Sequence, residues 1–260
     1  MDGTVSPVGT RQARRRRTGD TVHIAGDYQF QALTNGPAPQ RFWHDTKRWL
    51  VETYLDPVPS DRVLDVGCGS GVVANHLASL PVAECVAVDG NSAAVSFGQA
   101  QFTRTNLRFV HALVDELDLP DGYFDSACCL ELVEHLYPEQ GEALLRSLGR
   151  LVRPGGRLLI TTPNYRSLWP VLEWLLDRSG KVPKLVGDQH VAFYTHQRLA
   201  KLARAAGWRT VHQHTCCTVA PWAAWLSQGL ARGLRQREPR LPFGTILVHL
   251  LERPASGAGQ

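Results

Sequence analysis

At 260 residues and 43% hydrophobic side chains, the chain is long enough for one large α/β domain and apolar enough to bury a sizeable core. Its formal charge is only +4, and residues 1–20 carry five positive and two negative side chains, a net +3, so the near-neutral remainder disfavours dedicated duplex binding. No run of about 18 apolar residues is present to span a bilayer. The six cysteines, with two adjacent pairs and no Cys-x-x-Cys, read as reduced buried thiols of a cytoplasmic protein rather than a disulfide framework or zinc site.

Residues 1–20, with Arg11 and the run Arg14 to Arg17, read as a disordered basic tail, and residues 21–260 as a single domain. The functional alternative for the tail is attraction to nucleic acid or to an anionic membrane surface. No apolar segment follows the arginines, which argues against a secretory signal. Asn35 to Gln40 is turn material. After it, Phe42, Trp43, Thr46, Trp49, Leu50 and Tyr54 predict a helix with an aromatic stripe, ending before Asp56-Pro57.

Val63 to Val66 is a short apolar run of the kind that forms a buried strand. It is followed by glycines at 67, 69 and 71 and then by helical apolar spacing from Val72 to Leu80. A strand, a glycine turn and a helix form the first crossover of a doubly wound parallel sheet, where ligands sit at the strand's carboxyl end. Gly69 to Ala74 with Asp89 downstream also fits a dinucleotide pattern. Asp65, however, would repel a pyrophosphate and suit a cationic ligand. Cys85 to Val88 is the second strand. It ends in Asp89-Gly90-Asn91, an acid placed to accept hydrogen bonds from ribose hydroxyls. Ser92 is expected to cap the next helix, and Leu107 to Val110 to form strand three.

Ser126 to Leu130 is strand four and runs into Glu131-Leu132-Val133-Glu134-His135. With a helical turn starting at Glu131, residues 131, 134 and 135 share one face. Two carboxylates and an imidazole at one point repel unless a proton or cation intervenes, and an oxygen-rich set favours Mg²⁺ or Mn²⁺. His190 is a candidate fourth ligand from farther along the chain. The competing reading makes His135 a packed turn residue. His212 and His214 alternate on a predicted strand and share an exposed or half-buried face. Leu151 to Arg157 reads as a helix end and a Pro-Gly-Gly turn before strand five. Residues 163–195 are long for a connection and read as a substrate lid. Residues 219–235, with Trp222, Trp225, Leu226 and Leu230, suit core packing or, beside Arg232 and Arg235, a membrane interface. Trp208 to Thr215 and Gly244 to Leu251 supply the last strands.

The stretch Arg62 to Gly71 resembles the first motif of class I S-adenosylmethionine-dependent methyltransferases, and Leu151 to Asn164 resembles their signature after strand four. Glu131-x-x-Glu134-His135, with a later His190 before Tyr194-Thr195, resembles the ubiquinone-biosynthesis O-methyltransferases (methyltransferase type 11) and the small-RNA ribose 2′-O-methyltransferases. The resemblance spans residues 63 to 208. It implies a doubly wound, mostly parallel seven-stranded sheet with the last strand antiparallel. It further implies S-adenosylmethionine held by Asp65, Gly67, Cys68, Gly69 and Gly71, by Asp89, Gly90 and Asn91, and by Leu130. Asp115 stands as the acid on the adenine side, although the aligned position is shared with Leu113. Entry helices of this kind cover the cofactor, which makes Trp43 and His44 minor site candidates.

The expected reaction is O-methylation of a small hydroxylated or hydrophobic acceptor. Glu131, Glu134, His135 and His190 would hold Mg²⁺ or Mn²⁺, or His135 or His190 would act as base. Ribose methylation of RNA, N- or C-methylation of a small molecule, and a non-catalytic partner are the alternatives. A small-molecule acceptor, lipidic or otherwise, and peripheral membrane contact are the expected partners.

Overall fold

The structure, a computed structural model, describes residues 25–179, 190–238 and 243–255. The basic tail and residues 180–189 of the expected lid lie outside the described residues. Two helices, α1 (Tyr28–Thr34) and α2 (Ala38–Leu55), precede the sheet. No expectation covered α1, and α2 starts inside the segment read as a turn, because Pro39 sits in its first turn, where a missing N–H costs nothing.

Seven strands then form one sheet: β1 (Arg62–Val66), β2 (Glu84–Asp89), β3 (Leu107–His111), β4 (Phe124–Leu130), β5 (Val152–Pro163), β6 (Arg209–Cys216) and β7 (Ile246–Glu252). The order is β3-β2-β1-β4-β5-β7-β6. β7 runs antiparallel to both of its neighbours, and the pairs among β1 to β5 are parallel, which is the sheet expected from the sequence. The apolar runs at β1 and β4 are buried on both faces, which is why they lack polar alternation.

Helices α3 (Val72–Leu77), α4 (Ser92–Gln101), α5 (Pro138–Leu151) and α7 (His196–Ala205) flank the sheet, α6 (Trp169–Ser179) follows β5, and α8 (Ala220–Ala223) and α9 (Gln228–Arg237) stand between β6 and β7. Two cores result. One packs α5 and α7 against Leu158, Ile160 and Leu247, and the other packs α2 and α3 against Val63, Leu159 and Val248. The segment expected as a Pro-Gly-Gly turn lies within β5, where the partners jump from Val152 to Arg157 while β4 advances only from Phe124 to Ser126. The extra residues bulge out, with Gly155 at φ 75. All six cysteines are buried and unpaired.

A candidate cofactor and acid-histidine site

The chain order reverses between β1 and β4, which are adjacent, so a crevice opens at their carboxyl ends. β1 delivers the glycine loop into it. Gly67, Gly69 and Gly71 have φ of 70, 50 and 79, a region that L side chains rarely adopt. The amides of Gly67 and Cys68 donate to the Val88 carbonyl at 2.8 and 3.1 Å, which ties the loop to the end of β2. A Cβ at Gly67 would lie 2.9 Å from Leu132 Cδ2, so the loop touches the chain leaving β4.

Asp65 is buried, and its Oδ1 accepts from the Cys128 thiol at 3.2 Å. Its Oδ2 has no hydrogen-bond donor among the described residues. Burial, with the nearby charge of Asp89 adding to it, pushes this carboxyl up to about 7. Asp89 accepts from the Gly69 amide at 2.7 Å and the Asn91 amide at 2.8 Å. Burial raises its carboxyl above the ordinary range despite those bonds. A carboxylate offers about four lone-pair sites, so these two bonds leave room for a ribose diol.

Other expectations around the loop are revised. Asn91, not Ser92, caps α4, because its Oδ1 accepts from the amides of Ala93 and Ala94 at 3.0 and 3.3 Å. The side chain proposed for the cofactor is thus engaged in a cap. Cys68 is buried beside Gly69, and burial holds its thiol well above its ordinary range. The Gly90 carbonyl accepts from His111 Nε2 at 3.1 Å. Leu130 is buried at the end of β4. Asp115 is solvent-exposed on a short 3-10 turn, Val114–Glu116.

One residue that the sequence did not single out completes the loop. Gln29 of α1 accepts from the Ser70 amide at 2.7 Å, and Phe30 N donates to Ser70 Oγ at 3.0 Å. A Cβ at Gly69 would fall 2.0 Å from Gln29 Oε1. Trp43 packs on Trp169 with ring centres 5.3 Å apart, and His44 is buried edge-on to Tyr28.

The second half of the site is built where β4 ends. The expected helical face does not form: Glu131 has φ 57, and Val133–His135 is a 3-10 turn. The left-handed residue turns the chain, so residues 131 and 134 are not one helical step apart. Glu131 instead accepts from Thr161 Oγ1 at 2.8 Å. One ligand atom from each of Glu134, His135 and His190 lies within 4.8 Å of the others. Glu131 is outside that group, and its part is to add negative charge beside it. Glu134 is buried and accepts from Thr162 Oγ1 at 3.0 Å. Burial and the charge of Glu131 raise its carboxyl, and the nearby His190 works against that rise. The Glu134 carbonyl accepts from the amides of Val191 and Ala192 at 2.9 and 3.1 Å, which brings His190 to the cluster.

His190 has two partners absent from the sequence reading, buried Glu173 and half-buried Tyr165. Its Nδ1 meets Glu173 Oε1 at 2.5 Å, and Tyr165 OH donates to Glu173 Oε1 and Oε2 at 2.9 and 3.0 Å. Glu173 and His190 are both buried. Burial works against the charged imidazolium, but the bond to Glu173 and the charge of Glu134 outweigh it, and the imidazole is raised overall. The carboxylate assigns the ring proton to Nδ1 and the lone pair to Nε2. The only hint of Glu173 in the sequence was an acid in an otherwise apolar helical run. His212 and His214 belong to a separate cluster against Tyr54, where His212 is exposed and His214 buried.

Residues 38–213 match the model of a family described as a methyltransferase domain. Among curated proteins, the chain is similar to a fatty-acid O-methyltransferase of Mycolicibacterium smegmatis, at 35% identity over 167 residues, or 62% of this chain and 59% of that protein. It is also similar to a ubiquinone biosynthesis O-methyltransferase of Xanthomonas oryzae pv. oryzae, at 33% identity over 146 residues, or 52% and 59% of the two chains. An uncharacterized methyltransferase of Mycobacterium tuberculosis matches at 33% identity over 123 residues, 46% of this chain and 61% of that protein. The chain thus spans less than two thirds of the length of each of these relatives. In fold, it is similar to a SAM-dependent methyltransferase from Archaeoglobus fulgidus, with TM-score 0.60 and 21% identity, covering 86% of this chain and 98% of that one.

Proposed function

The chain belongs to the S-adenosylmethionine-dependent methyltransferase family, and from that premise we propose that it methylates an oxygen of a small, largely apolar acceptor. The observation that carries the reading is the juxtaposition of the glycine loop with the Glu134, His135 and His190 group across the β1–β4 crevice. The buried Asp65 with its unpaired Oδ2, and the glycine cradle that side chains would fill, both fit a cationic cofactor. S-adenosylmethionine supplies an electrophilic methyl group on a sulfonium. Asp65 would face its positive end, and Asp89, held by the Gly69 and Asn91 amides, would accept from the ribose hydroxyls.

Methyl transfer is an in-line displacement, so the protein's first task is to hold the acceptor oxygen about 3 Å from the methyl carbon. Glu173 and Tyr165 orient His190, whose Nε2 accepts the proton of an acceptor hydroxyl. In an alternative use of that same Nε2, Glu134, His135 and His190 fit a divalent cation, since one ligand atom from each lies within 4.8 Å of the others and His190 is backed by a carboxylate, as metal-bound imidazoles commonly are. Mg²⁺ or Mn²⁺ there would lower the acceptor's pKa. Residues 163–195 are proposed as the lid. Within it, α6 turns Glu173 inward and exposes Val171 and Trp174, which suits an acceptor with an acyl or polyprenyl body, presented from a membrane to a peripherally bound enzyme.

The test is transfer of labelled methyl to a panel of long-chain fatty acids, polyprenyl catechols and a short RNA, with EDTA or Mn²⁺. The reading expects label on oxygen of an apolar acceptor, suppression by EDTA and restoration by Mn²⁺. Label on RNA alone contradicts the acceptor class, and full turnover of metal-stripped protein contradicts the cation.

A further inference from the structure

β6 and β7 are antiparallel neighbours, which a hairpin of about two to five residues can join. Here residues 217–245 connect them, and this excursion carries α8 and α9. Its inner side is anchored. Ala220, Ala224 and Ala231 pack on Phe42 of α2. Arg235 reaches Asp45 at 3.2 Å, with its guanidinium 4.9 Å from the centre of the Trp49 ring. Glu238 accepts from the amides of Val219 and Ala220 at 2.6 and 2.7 Å. The outer side is apolar and unused by the fold: Trp225 is 65% and Leu226 82% exposed, with Trp222 and Leu230 beside them.

The charge carried by the segment that bears this apolar surface has one sign. No acidic residue occurs between Val219 and Arg237, and Arg232 and Arg237 are exposed. Tryptophan at an apolar-polar boundary, leucine beyond it and arginine without acids make up the composition of a surface that enters the headgroup layer of an anionic bilayer. We propose that Trp222, Trp225, Leu226 and Leu230, flanked by Arg232 and Arg237, dock this chain onto anionic lipid membranes.

The docking gives the apolar-acceptor reading its route of substrate entry but is tested apart from it. Flotation of the full chain with phosphatidylcholine vesicles, with and without phosphatidylglycerol, is the experiment. The chain is expected to float with the anionic vesicles, with a blue shift of tryptophan emission, and to be partly released by high salt. The double variant W225S/L226S should weaken binding at least about tenfold, because both side chains are solvent-exposed in the free protein and lose only their lipid burial. R232E/R237E should erase the preference for anionic vesicles. Unchanged cofactor affinity and circular dichroism would show that these variants fold. Three results overturn the proposal: no flotation at any lipid concentration, flotation indifferent to both variants, or a dimer in solution that W225S/L226S converts to monomer. Vesicle binding without methylation of any apolar acceptor would instead count against the acceptor reading alone.

Discussion

Asp65 places a carboxylate where no donor fully satisfies it, and that choice has a thermodynamic consequence. Its folded-state value, about 7, lies above the ordinary 3.8. Between those two pH values the folded chain holds a proton that the unfolded chain has released. The stability contributed by this group is therefore complete below 3.8 and is lost as pH rises through about 7. Asp65→Asn should accordingly stabilise the cofactor-free protein above pH 7, on the order of 1–4 kcal/mol, in urea denaturation. The same variant should weaken cofactor binding by calorimetry, since an amide cannot offset a cation. Gly67→Val makes a sharper case. The position has φ 70, and a Cβ there would meet Leu132. A branched residue forced into that conformation costs about 1–2 kcal/mol and pushes the loop from the β4 end. Cofactor binding should be abolished while the sheet survives, and a variant that binds normally would show that the ligand lies elsewhere. Asp65, Asp89 and the glycines were legible because their chemistry is local to one strand and its turn. Gln29 and Glu173 were not, because each acts on a partner far along the chain, Ser70 and His190, that only the fold brings within reach.

At the level of elements, the strands read correctly because parallel strands buried on both faces stand out as unbroken apolar runs. Boundaries read less well. The cap of α4 was expected one residue late, because Ser92 and Asn91 are both good capping residues and only geometry decides between them. Asn91→Ala should cost about 0.5–2 kcal/mol in chemical denaturation. A change in cofactor affinity much larger than the change in stability would mean that Asn91 also touches the ligand. The turn after β4 was misread for a related reason. Glu-x-x-Glu-His has helical spacing, but the left-handed Glu131 reverses the chain first, and Thr161 of β5 rather than Glu134 becomes its partner. α1 was invisible because it is only seven residues long, too short to show a helical period, and buries only Ala32.

Over the whole molecule, the strand order brings the two halves of the site together. β1 and β4 are neighbours although β2 and β3 separate them in sequence, and the glycine loop and Glu134 leave the same edge of the sheet side by side. The first crossover was readable as doubly wound. The contacts that hold α6 were not, because Glu173 with His190 and Trp43 with Trp169 are partners that only the fold brings together. The central claim is that this crevice binds S-adenosylmethionine on one side and activates an acceptor oxygen on the other. The most direct measurement is single-turnover transfer of labelled methyl from pre-bound S-adenosylmethionine to a hydroxylated apolar acceptor, comparing the unaltered chain with His190→Asn. The account predicts labelled O-methyl product from the unaltered chain and a rate lower by about 10²–10⁴ in the variant, with the cofactor still bound. Equal rates in the two proteins, or no pre-bound cofactor in the unaltered chain, would contradict it.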